Sequence, residues 1–189
     1  MEEYISWTHP FLHELLNVIP KDIKTLVDVG CGKGIVGALV RIYRKANRLV
    51  GIDIRQDYLD FCKKHNFYDE IYNVDLRRLP LPFKTKEFEL VACVEVIEHL
   101  TKTEGNKLLG ELERIAENVI ISTPSYWHPN IKSKNPFRWH RSLWKIEDFK
   151  KRGYKVRGAG RLKAFNVPIH SRILTSRRPN LFEVLIAKK

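Results

Sequence analysis

The stretch TLVDVGCGKG at residues 25–34 decides the fold, because it joins an apolar run to three closely spaced glycines. Residues 24–29 have the composition of a short buried strand, and Gly30, Gly32 and Gly34 follow directly. Glycines at such a turn let the backbone approach a ligand without a Cβ clash. A dinucleotide-binding turn has the order Gly-x-Gly-x-x-Gly, but Ile35 stands at its third glycine position. The turn therefore predicts a nucleotide-like ligand and leaves its identity open.

Apolar runs and amphipathic stretches alternate on both sides of this turn. Further strands are predicted at residues 49–54, 70–74, 88–94 and 118–122, with two late strands at 154–156 and 181–187. Helices are predicted at residues 35–46, 58–65, 104–116 and near 142–152. An N-terminal extension, residues 1–22, contains one more predicted helix, with Thr8 as its cap. This βαβ alternation predicts an α/β fold with a parallel sheet.

The length and composition limit the class of protein. A chain of 189 residues suits one domain, 1–189, with a substantial core. The hydrophobic content of 43% includes no apolar run near twenty residues, and MEEYISWTHP lacks a signal-peptide pattern. Three widely spaced cysteines exclude a disulfide framework or a cysteine-based zinc site as the basis of the fold. We expect a cytoplasmic protein with no membrane association.

Positive charge is concentrated in the last third of the chain. Residues 1–120 contain 17 Lys+Arg and 19 Asp+Glu, a balance of −2, whereas residues 121–189 contain 17 and 3, a balance of +14. A basic excess confined to one part of the chain predicts a surface that faces an anion such as nucleic acid. The alternative is a solvated basic face without a partner.

Acidic residues follow the predicted strands. Asp28 lies at the end of the first strand, Asp53 in the second, Asp75 after the third and Glu95 after the fourth. In an open parallel sheet, ligands bind outside the carboxyl ends of the strands. Asp53 can accept hydrogen bonds from both hydroxyls of a ribose, and Asp75 one from an adenine amino group.

The segments VDVGCGKG, VGIDI, YNVDLRRLPLPF, FELVACVEVIEHL and NVIISTPS resemble class I S-adenosylmethionine (SAM)-dependent methyltransferases, of the type that includes ubiquinone-biosynthesis O-methyltransferases. The resemblance implies a Rossmann-like, doubly wound, seven-stranded sheet, mostly parallel with an antiparallel last strand. It implies SAM as cofactor, with Asp28, Gly30, Gly32 and Gly34 at the methionine, Asp53 and Ile54 at the ribose, and Asp75 and Leu76 at the adenine. Asp28 has an alternative role as a carboxylate that braces the loop.

The sequence EVIEH follows the fourth strand and offers candidate catalytic residues. Glu95, Glu98 and His99 can converge at one strand end and ligate Mg²⁺ or Mn²⁺, with His140 as a fourth ligand. The arrangement resembles the Glu-x-x-Glu-His metal motif of small-RNA 3′-terminal 2′-O-methyltransferases. Such a cation would orient two vicinal hydroxyls of an acceptor. The alternative is a structural turn without a metal.

Residues 123–141, here named the aromatic segment, form the main candidate substrate region, and a loop at 160–180 forms a second. In the aromatic segment, ring-bearing and basic side chains alternate: Tyr126, Trp127, Lys132, Lys134, Phe137, Arg138, Trp139 and Arg141. This pattern is typical of single-stranded RNA binding, and Trp127, Arg138, Trp139 and Arg141 are the predicted substrate contacts. Alternatively, the segment covers a small aromatic acceptor.

These features predict a SAM-dependent methyltransferase that acts on an anionic acceptor, RNA in the first instance, by cation-assisted O-methylation. The chain lacks the Asn/Asp-Pro-Pro-Tyr sequence typical of many enzymes that methylate exocyclic base amines, and it lacks a Pro-Cys nucleophile. Two alternatives stay open: O-methylation of a small hydroxylated aromatic or quinone-type metabolite, and a catalytically silent RNA-binding or partner subunit that keeps the fold.

Overall fold

The apolar run before the glycines forms strand β1 (Asp22–Val29), which lies inside a mixed sheet in a computed structural model of the chain. The structure describes residues 11–131, 133–162, 167–168 and 179–189. Strands β2 (Lys45–Asp53) and β4 (Phe88–Val94) pair with β1 on either side, in parallel. Strands β3 (Glu70–Asn73) and β5 (Ala116–Pro124) extend the parallel part outward.

The late strands complete the sheet in antiparallel fashion. Strand β8 (Phe182–Lys188) is inserted between β5 and β6 (Lys155–Leu162) and runs antiparallel to both. A two-residue strand, β7 (Val167–Pro168), pairs with the outer edge of β6, so the order is β3-β2-β1-β4-β5-β8-β6-β7. The prediction of a seven-stranded, mostly parallel sheet with an antiparallel last strand is confirmed, and β7 is a short addition to it.

Helices cover both faces of the sheet. On one face lie α1 (Phe11–Val18), α2 (Ile35–Tyr43) and α3 (Gln56–Lys64), whose apolar residues belong to one core cluster. On the other face lie α4 (Lys102–Ile115) and α5 (Ile146–Lys150), which pack in a second cluster around the fully buried Trp144. Helices on two faces leave the strand ends open, and this is where a doubly wound sheet binds its ligands.

Two predicted helix boundaries were wrong. Helix α2 ends at Tyr43 and β2 begins at Lys45, so Ala46 belongs to the strand. Helix α5 has five residues, although a helix was predicted near 142–152. The amides of Arg141 and Ser142 donate to the Glu98 carbonyl, 2.7 and 3.1 Å away, which holds the preceding chain out of a helical conformation.

The N-terminal extension contributes α1, which joins the apolar core through Leu12 and Leu15, and Ile19 follows the helix into the same core. Arg157 of β6 forms an ion pair with the buried Glu14 at 3.1 Å, so the helix is fixed to the antiparallel part of the sheet. The predicted cap Thr8 and most of the predicted loop 160–180 lie outside the described residues. Among the described helices, none has the length and apolar character needed to cross a membrane.

Candidate active site

A cleft of about 710 Å³ opens at the carboxyl ends of β1, β2 and β4. Its wall runs from the glycine turn, through the residues that follow β3 and β4, to the aromatic segment and the start of β8. The wall residues used below are Gly30, Gly32, Lys33, Asp53, Ile54, Tyr58, Asp75, Leu76, Arg77, Glu95, Glu98, His99, Tyr126, His128, Phe137, Arg138, His140 and Arg141. Most of the predicted site residues therefore share one cavity.

The glycine turn needs its glycines for two reasons. Gly30, Gly32 and Gly34 all have positive φ, at 75°, 52° and 81°, a region that residues with a Cβ rarely adopt. A Cβ at Gly30 would lie 2.4 Å from a Val96 methyl carbon, and one at Gly34 would lie 2.6 Å from the Phe67 ring. At Gly32 nothing lies within 4 Å of the added Cβ, so this residue faces open space in the cleft. Gly34 lies behind the wall, at the start of α2.

The carboxylate of Asp53 holds two backbone segments together at the end of β2. One oxygen accepts a hydrogen bond from the Gly32 amide and the other from the Arg55 amide, both at 2.9 Å. Burial raises the pKa of this carboxyl, and the backbone hydrogen bonds from Arg55 and Gly32 oppose the rise. Because a carboxylate has about four lone-pair positions, Asp53 keeps acceptor capacity toward the cleft.

Asp28 lies beneath the glycine turn, away from the cleft wall. Its side chain is 1% exposed and accepts a hydrogen bond of 2.5 Å from the Tyr68 hydroxyl, which in turn accepts from the Gly37 amide at 3.2 Å. Burial raises the pKa of Asp28 to about 7, against the lowering effect of the Tyr68 hydrogen bond. The position matches the alternative considered for this residue, a brace for the loop.

Asp75 lies on the wall next to Leu76 and is engaged by a neighbouring guanidinium. Arg77 donates from Nε at 2.8 Å and from a terminal nitrogen at 2.7 Å, so the pair is bidentate. These hydrogen bonds hold the pKa of Asp75 below its usual value. Asp75 is therefore an ionised acceptor at the edge of the cleft.

Glu98 is buried and Glu95 is half-buried, and the two carboxyl groups face different partners. The Ser122 hydroxyl donates to Glu95 at 2.7 Å, and the Thr123 hydroxyl donates to Glu98 at 3.1 Å. Burial raises the pKa of Glu95 to about 7. Burial, followed by the charge of Glu95, raises the pKa of Glu98 well above its usual value. An ionised Glu98 therefore requires a compensating positive charge close by.

A cation could supply this charge, because the side chains of Glu98, His99 and His140 lie close together. Each of the three offers one ligand atom, and those atoms lie within 4.8 Å of one another. Burial lowers the pKa of His99 to about 4 and also lowers the pKa of His140, so both imidazoles are neutral at neutral pH. Nδ1 of His99 lies 3.3 Å from the Trp139 carbonyl oxygen, which favours a proton on Nδ1 and leaves Nε2 with its lone pair. Glu95 lies outside this set.

The aromatic segment places its predicted substrate contacts in two groups. Arg138 and Arg141 line the cleft. Trp127 and Trp139 do not: they lie on the surface, 51% and 37% exposed, and the indole of Trp139 donates to the Ser133 carbonyl at 2.9 Å. Lys132, another basic residue of the segment, is outside the described residues.

Several wall residues were not among the predicted site residues. His128 lies with its ring centroid 5.9 Å from that of His140, and Arg77 comes from the part of the chain with no basic excess. Lys33 and Tyr58 flank the glycine turn, with the Lys33 ammonium 6.0 Å from the Tyr58 ring centroid. His128 belongs to the sequence WHP and His140 to the sequence RWH of the same loop, and this repeated pairing of Trp and His was a usable signal. The sequence positions of Arg77, Lys33 and Tyr58 contain no such signal.

A family model described as "Methyltransferase domain" matches residues 27–118 of this chain, from the end of β1 into β5. Among curated proteins, the ubiquinone biosynthesis O-methyltransferase of Acinetobacter baylyi is 28% identical over 81 residues. That alignment covers 41% of this chain and 33% of the relative, so the chain matches about a third of the relative's length.

Solved structures share the fold over nearly the whole chain. The Haloferax volcanii complex of the Trm112 methyltransferase activator with a methyltransferase gives a TM-score of 0.68 at 17% identity, covering 95% of this chain and 87% of that chain. A SAM-dependent methyltransferase from Archaeoglobus fulgidus gives 0.66 at 18% identity, covering 94% and 91%. The small RNA methyltransferase HEN1 gives 0.63 at 21% identity, covering 94% of this chain and 24% of that chain.

The glycine turn, the acidic strand ends, the sheet order and the matched family model agree with one another. The matched family model, the curated relatives and the structures that share the fold support a class I SAM-dependent methyltransferase.

Proposed function

We propose that this protein transfers the methyl group of SAM to a hydroxyl oxygen of RNA, with a divalent cation held by Glu98, His99 and His140. The observation that carries the proposal is the shared cleft. One cavity of about 710 Å³ is lined by the glycine turn, by the three candidate ligands and by the basic residues of the aromatic segment. Donor and acceptor can therefore occupy one enclosed volume.

In this proposal SAM lies along the glycine turn. Its methionine part contacts Gly30 and Gly32, its ribose bonds Asp53 beside Ile54, and its adenine lies at Asp75 and Leu76, all of which line the cleft. Asp28 and Gly34 act indirectly, since Asp28 braces the turn from below and Gly34 starts α2. The open space at Gly32 supports close approach of a ligand to that backbone.

The candidate ligands fit a divalent cation in their chemistry. Glu98 supplies a carboxylate oxygen, and His99 and His140 supply neutral imidazole nitrogens, a set that suits Mn²⁺ and similar ions. Without a cation, burial raises the pKa of Glu98 and so favours its protonated form. A bound cation would act as a Lewis acid toward an acceptor oxygen.

In this proposal the protein's own residues act mainly by positioning the acceptor relative to SAM. The sulfonium of SAM is already reactive, so the chain has to hold the acceptor oxygen in line with the methyl carbon and keep water out. Glu95, the residue after β4, lines the cleft and can contact a ligand there, and burial raises its pKa to about 7. Arg138 and Arg141 supply positive charge at the wall.

RNA is favoured as the acceptor by charge and by surface aromatic residues. The balance of residues 121–189 is +14, and the aromatic segment carries Tyr126, Trp127 and Phe137 at 46%, 51% and 44% exposure. Exposed rings stack on unpaired bases, and arginines neutralise phosphates. The fold similarity to the small RNA methyltransferase HEN1 supports the same choice.

A second candidate is O-methylation of a small hydroxylated aromatic. The observation that favours it is the 28% identity to the ubiquinone biosynthesis O-methyltransferase of Acinetobacter baylyi. In that case the rings of the aromatic segment would contact the acceptor ring, and activity would depend weakly on salt because few phosphate contacts are made.

The test is transfer of labelled methyl from SAM into a mixed pool of small RNAs, with Mn²⁺ present. We expect incorporation by the wild type and strong loss in Asp53→Ala at limiting SAM. Incorporation should fall steeply as salt increases, because phosphate contacts release counterions. Incorporation into a hydroxylated aromatic, with none into RNA, would contradict the RNA proposal and support the second candidate.

A further inference from the structure

A chain of side-chain contacts connects the adenine end of the cleft with the aromatic segment. It starts at Asp75, passes through Arg77 and ends at Phe137, and all three residues line the cleft. Asp75 and Arg77 follow β3, whereas Phe137 belongs to a short 3-10 helix, Pro136–Arg138, more than fifty positions later. The contact therefore joins two parts of the cleft wall that are distant in the sequence.

At the Asp75 end of this chain of contacts, three hydrogen bonds join Asp75 to Arg77. The carboxylate accepts two hydrogen bonds from the Arg77 guanidinium and a third, of 3.0 Å, from the Arg77 backbone amide. The neighbouring Arg78 makes a weaker contact with the same carboxylate, at 3.8 Å, and its side chain is 89% exposed. Arg77 is thus oriented by Asp75, and Arg78 is not.

The Phe137 end is a cation-π contact. The guanidinium carbon of Arg77 lies 5.5 Å from the Phe137 ring centroid, within the range in which the ring face attracts a cation. Phe137 is itself fixed by Asn135, whose side-chain oxygen accepts from the Phe137 amide at 3.0 Å. A planar guanidinium can bond a carboxylate in its plane and stack on a ring with its face, which an ammonium cannot do.

Other hydrogen bonds attach the two ends of the aromatic segment to β8 and to the turn after β4. Its start is bonded to β8, where the Ser125 amide donates to the Glu183 carbonyl at 2.8 Å. Its end is bonded to the turn after β4 through the Arg141 amide and the Glu98 carbonyl. Arg77 contacts the segment at Phe137, between these two ends.

We propose that Arg77 is a positioning residue that couples SAM binding to the placement of the aromatic segment over the acceptor. This inference rests on the proposed function, because it takes the adenine to lie at Asp75 and Leu76. Adenine bound there fixes the backbone of the turn that carries Arg77, and Arg77 then holds Phe137. A ligand shifts a conformational equilibrium only through contacts that differ between the two states. In this proposal the contact that differs is the one between the adenine and Asp75.

The expected effect is modest and has a defined direction. An exposed cation-π contact stabilises one arrangement by an amount equivalent to about a two- to fivefold change in an equilibrium constant. Arg77→Ala should therefore raise the KM for the acceptor about two- to fivefold, with kcat little changed and SAM affinity within about threefold of the wild type. Arg77→Lys should restore only part of the loss, because it cannot form the bidentate pair.

The primary test does not require an acceptor. Backbone hydrogen exchange of a peptide spanning residues 133–141 is measured with and without saturating SAM in wild type, Arg77→Ala and the matched control Arg78→Ala. We expect SAM to slow exchange in the wild type and in Arg78→Ala, but not in Arg77→Ala. The double variant Arg77→Ala/Phe137→Ala should behave like either single variant, as required for two residues that act through one contact.

Four outcomes would overturn the inference. SAM could slow exchange equally in Arg77→Ala, or leave exchange of the wild-type segment unchanged, and either result with intact SAM binding would contradict the coupling alone. A large loss of SAM affinity in Arg77→Ala would place Arg77 in the cofactor site itself. Failure of the wild type to bind SAM would instead contradict the proposed function together with this inference.

Discussion

The cofactor side of the cleft is formed by residues at the ends of regular strands, whereas its acceptor side is formed by the irregular aromatic segment. On the first side, backbone ladders between β1, β2 and β4 fix the position of each wall residue, and Asp53 bonds two backbone amides. On the second side, a few hydrogen bonds to Glu98, His99 and β8 hold a segment whose rings are largely exposed.

The difference shows how one scaffold can keep its cofactor and change its acceptor. A substitution at the strand ends disturbs sheet pairing, the glycine turn or a buried carboxylate, so few are tolerated there. Exposed residues on a loop contribute little to the free energy of unfolding and can change with the ligand. The predictions below test whether the two sides are separable.

The largest effect is expected from Glu98→Gln on the acceptor side. Glutamine keeps a side-chain acceptor for Thr123 but cannot provide a charged ligand, so methyl transfer should fall about a thousandfold. SAM affinity should stay within about threefold, since Glu98 makes no contact assigned to the cofactor. Labelled-methyl transfer with Mn²⁺ and calorimetric titration of SAM measure the two quantities.

The exposed Glu117, replaced by glutamine, is the matched control and should retain full activity. A fully active Glu98→Gln protein would contradict the cation site. Loss of SAM binding in Glu98→Gln would show that the two sides of the cleft are not separable.

The next effect concerns the buried carboxyl on the cofactor side. Burial raises the pKa of Asp28 to about 7 in the folded protein, against 3.8 for a solvent-exposed aspartate, so between these pH values the folded chain holds a proton that the unfolded chain has lost. Asp28 therefore makes stability fall as pH rises from about 4 to 7, by at most about 1.4 kcal/mol per pH unit. In Asp28→Asn that loss is absent, so the variant should gain stability relative to wild type over this range.

Urea unfolding of wild type and Asp28→Asn at several pH values measures this difference, which should level off above pH 7. Asp22→Asn, at an exposed position, is the matched control for replacement of one aspartate by asparagine. A difference between Asp28→Asn and wild type that is independent of pH would refute the assignment of a raised pKa to Asp28.

A somewhat smaller effect is expected from Asp53→Ala. Loss of a charged hydrogen bond to the ribose costs roughly 1.5 to 3 kcal/mol, or about one to two decades in SAM affinity. The upper end is expected here, because Asp53 also bonds the Gly32 amide and its loss loosens the glycine turn. Isothermal titration gives the dissociation constant directly.

Asp57→Ala is the matched control, since Asp57 is exposed on the first turn of α3 and pairs with Arg55 rather than with the turn. It should bind SAM like the wild type. Equal SAM affinity in Asp53→Ala and wild type would contradict the ribose assignment.

The smallest effect is expected from Trp127→Ala, because this ring is 51% exposed and lies outside the cleft wall. Loss of one stacking surface should raise the KM for RNA about fivefold, at the low end of the range for base stacking. SAM affinity should not change. Ile42→Ala, an exposed apolar residue at the end of α2, controls for loss of surface area, and an equal rise in its KM would remove the case for stacking.

The sequence was sufficient to predict the parallel strands and the residues at their ends, because apolar runs and glycines are local signals. The site was harder to predict. Glu95 and Glu98 look equivalent in EVIEH, yet Glu95 has a left-handed backbone, φ 54°, and bonds Ser122, while Glu98 meets His140. That division depends on a contact with a residue more than forty positions later, and no local pattern contains it.

Charge counting assigned the basic excess to residues 121–189, but it gave no weight to single basic residues elsewhere in the chain. Arg77 belongs to the part of the chain with a balance of −2, and it nevertheless reaches the aromatic segment. The position of a charge in the folded chain depends on strand order, and strand order brings the end of β3 close to a loop from the other half of the sequence.

The place of β8 in the sheet also has a consequence for synthesis on the ribosome. Strand β8 lies between β5 and β6, so β6 emerges before the strand that pairs with it. The parallel strands β1 to β5 can assemble while translation continues, since domains form from the N-terminal side as they emerge. Glu183 and Val184 of β8 line the cleft. The growing chain therefore builds its SAM-facing strands first, and the wall next to the aromatic segment is finished only when residues 182–188 have left the ribosome.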